Sequence, residues 1–124
     1  MTYHFAGIDH VQLAAPKGSE ELARHFYHTV LGLEELPKPA ELASRGGVWF
    51  QCGAQQLHIG IEEPFVPAKK AHPAIYVRGL AILKHRLQDS GIEVRKDTNL
   101  PDMTRFYVDD PFGNRLEFLE RNNS

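Results

Sequence analysis

The sequence predicts an α+β fold built from two halves, each with a strand, a helix and then further strands. Three observations predict it. The order of hydrophobic patterns repeats, a segment with two prolines over residues 62–70 separates the repeats, and metal-capable side chains recur at nearly equal offsets. His10 and His72 are 62 positions apart, and His58 and Glu117 are 59 apart. A duplicated unit that supplies one ligand-type residue from each of two strands predicts a metal site between the halves.

The first half begins with a strand over residues 8–14, in which alternate side chains face opposite sides. A helix is expected after Ser19, and Gly32 suits its end as a left-handed cap. Beyond a loop, residues 48–52 and 56–61 are two strands joined by a turn. The helix has an apolar stripe at helical spacing, formed by Leu22, Phe26 and Val30 and widened by Ala23 and Tyr27.

The second half repeats this order. Residues 72–77 predict a strand, and residues 92–94 a short further strand. A hairpin of residues 105–108 and 115–119 ends the half, turning across residues 109–114. Leucines line the intervening helix, which Gly91 can cap: Leu80, Leu83 and Leu87. Two such halves bury much of both sheets when they pair, and they leave a cleft between them. Pairing within one chain and exchange between two chains both remain open.

The composition favours a small domain of the cytoplasm. The chain has 124 residues, which suits one domain over 1–124 with a first module at about 5–64 and a second at about 70–121. Net charge is −2 with mixed signs, so neither nucleic acid nor an anionic membrane is an expected partner. No apolar stretch approaches the roughly 18 residues of a spanning helix, and no signal-peptide pattern follows Met1. The lone Cys52 fits a reducing compartment.

Strand parity places the candidate metal ligands on the more polar faces. His10 shares a face with Gln12, and Glu117 shares one with Arg115. Imidazoles and a carboxylate gathered in a partly dry cleft need neutralising, and a divalent cation does that directly. Histidine with glutamate suits Fe, Mn, Co, Ni or Zn better than Mg or Ca. Each of these residues alone would more often be a hydrogen-bonded structural or solvated side chain, so only the repeat raises the set above that interpretation.

Three segments together carry a family resemblance: residues 8–11, residues 26–33 and the hairpin Asp-Pro-Phe-Gly-Asn-Arg-Leu-Glu over 110–117. In this order they resemble the vicinal oxygen chelate superfamily, which includes glyoxalase I, fosfomycin-resistance transferases, bleomycin-resistance proteins and extradiol dioxygenases. The resemblance covers almost the whole chain. It implies paired strand-helix-three-strand modules (βαβββ), whose cupped mixed sheets enclose a cleft, and a homodimer. It also implies a divalent metal chelated by adjacent oxygens of a small-molecule substrate.

Carried over residue by residue, the resemblance makes His10, His72 and Glu117 the metal ligands. His58 stands where bacterial glyoxalase I has a glutamate ligand, and this departure disfavours glyoxalase I itself. His58 is then a fourth ligand, an acid–base group or a hydrogen-bond partner of the substrate. Tyr107 matches a site-facing tyrosine of the fosfomycin-resistance enzymes, but their potassium loop is absent over residues 101–105.

The main functional hypothesis is a metalloenzyme with lyase, isomerase or dioxygenase chemistry, in which His58 is catalytic. Arg105 and Tyr107 would contact the substrate, because they share one face of a strand that enters the cleft and Arg105 suits a carboxylate. Phe50 is a further expected substrate contact. The alternative is a metal-free protein that sequesters an antibiotic or an aromatic metabolite, with Phe50, Trp49 and Tyr107 as its stacking surface.

Overall fold

The structure is a computed structural model that describes residues 2–97 and 100–122. Its eight strands form two four-stranded mixed sheets, as the predicted α+β class requires. The strands are β1 (His10–Ala15), β2 (Glu35–Leu36), β3 (Val48–Cys52), β4 (Gln55–Ile61), β5 (Ala74–Tyr76), β6 (Arg95–Lys96), β7 (Met103–Asp109) and β8 (Arg115–Arg121). Sheet A has the order β1-β4-β3-β2 and sheet B the order β5-β8-β7-β6, so the same topology occurs twice. The predicted βαβββ repeat is confirmed.

The register of each sheet places candidate site residues side by side on neighbouring strands. In sheet A, β1 runs parallel to β4 and β3 antiparallel to it, with His58 beside Gln12 on one side and Trp49 on the other. In sheet B, β5 and β7 flank β8 in the same way, with Glu117 beside Ala74 and Tyr107. Because side chains opposite each other in register share a face, each module has one face with polar candidates and one face turned to the core.

The first helix differs from the predicted one. It begins as a short α-helix, α1 (Glu20–Ala23), and continues as a π-helix over Arg24–Val30, where Leu31 N–H donates to the carbonyl of Phe26 five residues back. Leu22, in the α-helical part, is 57% exposed, whereas the other residues of the predicted stripe are buried. The predicted stripe was therefore wrong at Leu22 and right at Ala23, Phe26, Tyr27 and Val30. A 3₁₀ helix (Ala40–Arg45) follows, and α2 (Leu80–Asp89) is the helix of the second module.

Two predicted strands of the second half have other bounds in the structure. The strand expected over 72–77 is β5 at Ala74–Tyr76, so His72 lies just before it. The strand expected over 92–94 is instead β6 at Arg95–Lys96, because Arg95 is the residue that reaches the register position opposite Tyr107. The half-buried side chains of Ile92 and Val94 pack against the core without joining the sheet.

One hydrophobic core contains residues of both modules, and a buried polar cluster joins them. The Tyr27 hydroxyl donates to Asp110 at 2.6 Å, and Asp110 also accepts from the backbone N–H groups of Phe112 and Asn114. The Asn114 amide in turn donates to the carbonyl of Ala14 at the end of β1. Burial and then the nearby Asp110 carboxylate raise the pKa of Tyr27 well above its usual value, so its hydroxyl stays a donor. The Asp-Pro hairpin thus holds the two modules together.

Five residues of the predicted single domain, Met1, Thr98, Asn99, Asn123 and Ser124, lie outside the described residues. The predicted module limits, about 5–64 and 70–121, stay predictions. No helix within 2–97 and 100–122 has the length and apolar character needed to cross a membrane.

Candidate metal centre

Two imidazoles and one indole form a stack on the open face of sheet A. The ring centroids of His10 and His58 are 4.1 Å apart with a 16° angle between the planes, and those of Trp49 and His58 are 4.0 Å apart at 5°. The sheet register produces this stack, since His58 lies on the strand between those that carry the other two rings.

The two histidines of this stack are anchored through different ring nitrogens. His10 uses Nδ1 to bind the Asp9 carboxylate at 2.8 Å, while His58 uses Nε2 to bind the side-chain oxygen of Gln56 at 2.9 Å. Both partners are acceptors, so these nitrogens carry the proton, and the opposite nitrogen of each ring has the lone pair. His58 is 4% exposed, and burial first, then the proximity of His10, lowers its pKa.

The second pair lies on the open face of sheet B. His72 Nε2 is 2.9 Å from Oε1 of Glu117, whose side chain is almost buried. His72 Nδ1 is 2.9 Å from the backbone carbonyl of Lys70, which can only accept a hydrogen bond. Nδ1 therefore carries a proton, and Nε2 faces a carboxylate that is also an acceptor. The contact between Nε2 and Oε1 therefore needs a proton or a metal cation between the two atoms.

Arginine and tyrosine side chains surround this second pair. The Arg105 guanidinium is 3.5 Å from Glu117 Oε2 and 3.5 Å from Asp97, and its Nη1 is 3.4 Å from the Tyr107 hydroxyl. The guanidinium of Arg115 lies over the Tyr107 ring, 5.3 Å from its centroid, and the His72 ring meets the same tyrosine edge-on at 5.4 Å. Arg105 and Tyr107 thus lie beside the candidate ligand Glu117, on the face predicted for them.

The two pairs are separate within one chain. Among residues 2–97 and 100–122, no group of three or more His, Cys, Asp or Glu side chains is placed to hold a metal. The contacts join His10 to His58 and His72 to Glu117, each within one module. The repeat had related the same four residues across the modules, which identifies equivalent positions rather than contacts. Each module therefore contributes half of a possible ligand set.

The expectation that Phe50 contacts a substrate is wrong. Its side chain is fully buried in the core, 5.5 Å from the Tyr27 ring by centroids, and has no surface toward the open face. Its neighbour Trp49 points to the other side of β3 and supplies the aromatic surface there. No role is predicted for Arg115 from the sequence, although its position two residues before Glu117 places it on the same face of β8.

The repeated βαβββ topology, with a histidine pair on one cupped sheet and a histidine–glutamate pair on the other, defines a glyoxalase-like protein. The profile of the Glyoxalase/Bleomycin resistance protein/Dioxygenase superfamily matches residues 7–118. That match covers most of the chain, and the protein belongs to this superfamily.

Solved structures agree with this assignment. A glyoxalase family protein from Bacillus anthracis is 57% identical, with 98% of this chain and 99% of that chain covered and a TM-score of 0.94. A lactoylglutathione lyase from Agrobacterium tumefaciens is 25% identical over 93% of each chain, with a TM-score of 0.71. An antibiotic-binding protein from Streptomyces sp. CB03234 shares the fold at 20% identity, covering 95% of this chain and 99% of that chain, with a TM-score of 0.72. A search of curated proteins found no match.

Proposed function

We propose that the protein is a metal-dependent enzyme that binds a small substrate through two adjacent oxygens, with a lyase, isomerase or dioxygenase reaction. His10, His72 and Glu117 would hold a divalent transition metal, which is Fe, Mn, Co, Ni or Zn. His58 would serve as the acid–base group, and Arg105 and Tyr107 would contact the substrate. Superfamily membership supports the class of protein, and the donor set described above supports the metal.

One observation carries this proposal, the acceptor pair formed by His72 and Glu117. Nε2 and Oε1 face each other at 2.9 Å, while the proton of this imidazole is held on Nδ1 by a backbone carbonyl. Two ligands bound at right angles with bonds of about 2.1 Å lie roughly 3 Å apart, so the separation suits a shared metal. The residues present therefore fit a divalent cation in both charge and spacing.

The anchoring of His10 supports the same interpretation. Its Nδ1–H donates to a carboxylate, and the Nδ1–H of His72 donates to a carbonyl. Both rings are thereby held so that Nε2, with its lone pair, is the atom that could bind a metal. Metal-binding histidines are usually oriented in this way by an acceptor behind the ring. His58 has the opposite arrangement, with Nε2 engaged by Gln56 and Nδ1 as its acceptor. We therefore assign proton transfer rather than metal ligation to His58.

A second copy of the chain would complete the site. One copy supplies His72 and Glu117 and the other supplies His10, because the described part of a single chain brings no three such groups together. A symmetric dimer makes two identical composite sites in this way. This proposal of a homodimer also explains why two half-sets, each well anchored, lie on separate sheets.

The chemistry follows from the residues around these ligands. A divalent metal at this position supplies Lewis-acid polarisation of the adjacent oxygens of a substrate. The Nδ1 atom of His58 can accept a proton from a substrate carbon or hydroxyl beside it, and the Gln56 contact holds the ring in that tautomer. The stacked Trp49 and His10 rings keep the His58 ring in one plane. The Arg105 guanidinium and the Tyr107 hydroxyl offer donors to substrate oxygens.

Elemental analysis of protein purified without added metal tests the ligand assignment. We expect a transition metal in the unmodified protein, and its loss in His72→Ala and in Glu117→Gln. His85→Ala is the matched control, because this histidine is exposed on α2 and should leave the metal content unchanged. An absence of bound metal after dialysis against each of the five candidate metals would refute the proposal.

Mixing two inactive variants tests whether the site is shared between copies. His10→Ala and His72→Ala are each expected to lose the metal. If the site is composite, unfolding and refolding them together restores part of the metal content, because a mixed dimer regains one complete site. A site formed within one chain would regain nothing, and a monomer by analytical ultracentrifugation would contradict the homodimer directly.

A second candidate function is metal-free binding of an aromatic compound. The exposed edge of the ring stack formed by Trp49, His58 and His10 favours it, because such a surface accepts planar ligands. The fold is shared with an antibiotic-binding protein. Tight binding of a planar compound to metal-free protein, unaltered by His72→Ala, would favour this function over the enzyme.

A further inference from the structure

Arginine is distributed unevenly between the two sheets. Strands β1 to β4 contain no lysine or arginine, and the open face of sheet A carries histidine, glutamine and tryptophan side chains. Parity and register place four arginines on the open face of sheet B: Arg95, Arg105, Arg115 and Arg121. A concentration of guanidinium groups on one wall of a cleft raises the local concentration of anions.

Three of these arginines face carboxylates of the chain itself. Arg95 donates to Asp109 at 2.8 Å, and Arg121 lies 3.9 Å from Asp102 and donates to the Tyr76 hydroxyl. Arg105 lies between Glu117 and Asp97. These carboxylates offset much of the positive charge of the three arginines.

Arg115 is different from the other three. The residue is partly exposed, its guanidinium lies over the Tyr107 ring, and among residues 2–97 and 100–122 no carboxylate lies within salt-bridge distance of it. Asp109, which is its register neighbour on β7, binds Arg95 instead. Tyr107 has the guanidiniums of Arg115 and Arg105 at 5.3 Å and 5.9 Å from its ring centroid. A partly exposed guanidinium that no carboxylate of the described residues engages is available to a ligand that supplies the negative charge.

We infer that the small molecule bound at this site carries a carboxylate in addition to its two adjacent oxygens, and that Arg115 is the residue that recognises it. The planar fork of the guanidinium matches a carboxylate through two parallel hydrogen bonds. Arg105, on the other side of Tyr107, adds positive charge near the same position. This inference rests on the proposed function, because it assumes that the substrate lies on this face beside Glu117. It narrows the substrate class to small oxygenated carboxylic acids.

A matched pair of probes tests the inference. 3,4-Dihydroxybenzoate and 3,4-dihydroxybenzamide have the same adjacent oxygens and differ in the anionic group. We expect calorimetry on the full chain to show about 10-fold tighter binding of the benzoate, as an additional charge-assisted hydrogen bond provides. Arg115→Gln should reduce this preference to about 2-fold or less, and Arg115→Lys should retain part of it. Arg95→Gln is the matched control on the same face and should leave the preference unchanged.

The ratio of the two affinities separates recognition from structural support. If Arg115 only supports Tyr107, its substitution weakens both probes equally, and this result overturns the inference. Equal affinity for the two probes in the unmodified protein, or no binding of the benzoate, overturns it as well. Each titration is run with metal-loaded and with chelator-treated protein. Bound metal without a preference for the benzoate refutes this inference alone, whereas absence of metal refutes the proposed function.

Discussion

The two modules repeat one topology but differ in what they place at equivalent positions. His58 on β4 and Glu117 on β8 both lie on an inner strand of their sheet. Each contacts a histidine at the adjoining edge, which is His10 on β1 for His58 and His72 just before β5 for Glu117. In the first module the neighbours are aromatic rings that stack, and in the second they are charged groups that pair. A duplicated fold thus provides one wall of stacked rings and another of paired charges. In the function proposed above, the first would serve proton transfer and the second anion recognition.

The largest expected effect concerns the hairpins of the two modules. The β3–β4 turn is short, whereas the β7–β8 turn contains Asp110, which accepts hydrogen bonds from the Tyr27 hydroxyl and from backbone and side-chain N–H groups of Asn114. Asp110→Ala should lower the free energy of unfolding by about 3–5 kcal/mol, because several buried donors lose their acceptor together. Asp109→Ala, an exposed position in the same hairpin, should cost less than about 1 kcal/mol. Chemical denaturation measures both, and similar values would disprove the special role of Asp110.

The aromatic residues opposite the two central groups provide the next test. Trp49 is in register with His58 and Tyr107 with Glu117. Trp49→Leu should lower the free energy of unfolding by about 1.5–2 kcal/mol, since it removes a stacked ring from a half-buried position. Tyr107→Leu should cost about 0.5–1 kcal/mol, because its contacts are with partly exposed cations. The same denaturation experiment applies, and a larger loss for Tyr107→Leu would reverse the comparison.

The groups behind the two anchored histidines should also differ in their response to mutation. Asp9→Asn removes the carboxylate behind His10 and should lower metal affinity about 10-fold, the lower end of such effects, because Asp9 is highly exposed. His72 has a backbone carbonyl in the equivalent role, which no side-chain substitution removes. Competition with a chromogenic chelator measures the affinity. Asp89→Asn on α2 is the control, and an unaltered affinity in Asp9→Asn would remove His10 from the ligand set.

The smallest effect is expected at the start of α2, where Glu120 accepts hydrogen bonds from the N–H groups of Gly79 and Leu80 at 3.0 Å each. These bonds lower the pKa of Glu120 below its usual 4.5. Because the folded-state pKa is the lower one, the carboxylate stabilises the fold above about pH 4.5, and this contribution is lost as pH falls through the folded pKa. Glu120→Gln should therefore unfold more easily than the unmodified protein at pH 7, and the difference should shrink as the pH falls below 4.5. Thermal unfolding at decreasing pH measures the difference, and a gap that does not shrink would contradict the prediction.

The sequence predicted the elements better than the contacts between them. Alternation and turn residues were sufficient for the β7–β8 hairpin, because the pattern of one strand determines which side chains share a face. The alternation alone could not show whether Trp49 or Phe50 faces the cleft. Adjacent residues face opposite sides, and only the register with His58 identifies Trp49 as the one on the open face. The π-helix over Arg24–Val30 was not predictable either, because the helical spacing read from the sequence assumes 3.6 residues per turn.

The candidate site was found through equivalence in the repeat, which relates positions but not distances. The structure places the four residues on the sheet faces that strand alternation indicated, and Arg105 and Tyr107 lie beside Glu117, while the roles of these residues stay predictions. The partition into a His10–His58 pair and a His72–Glu117 pair depends on strand order, which the sequence does not contain. The importance of Arg115 depends on which carboxylates other arginines engage, and that too is a property of the folded chain.

The stack around His58 gives the protein an internal optical probe. Trp49 is the single tryptophan of the chain, so the tryptophan emission comes entirely from the open face of sheet A. A compound that enters beside His58 would alter this emission directly. Steady-state fluorescence can therefore report whether a ligand reaches the ring stack, without any label.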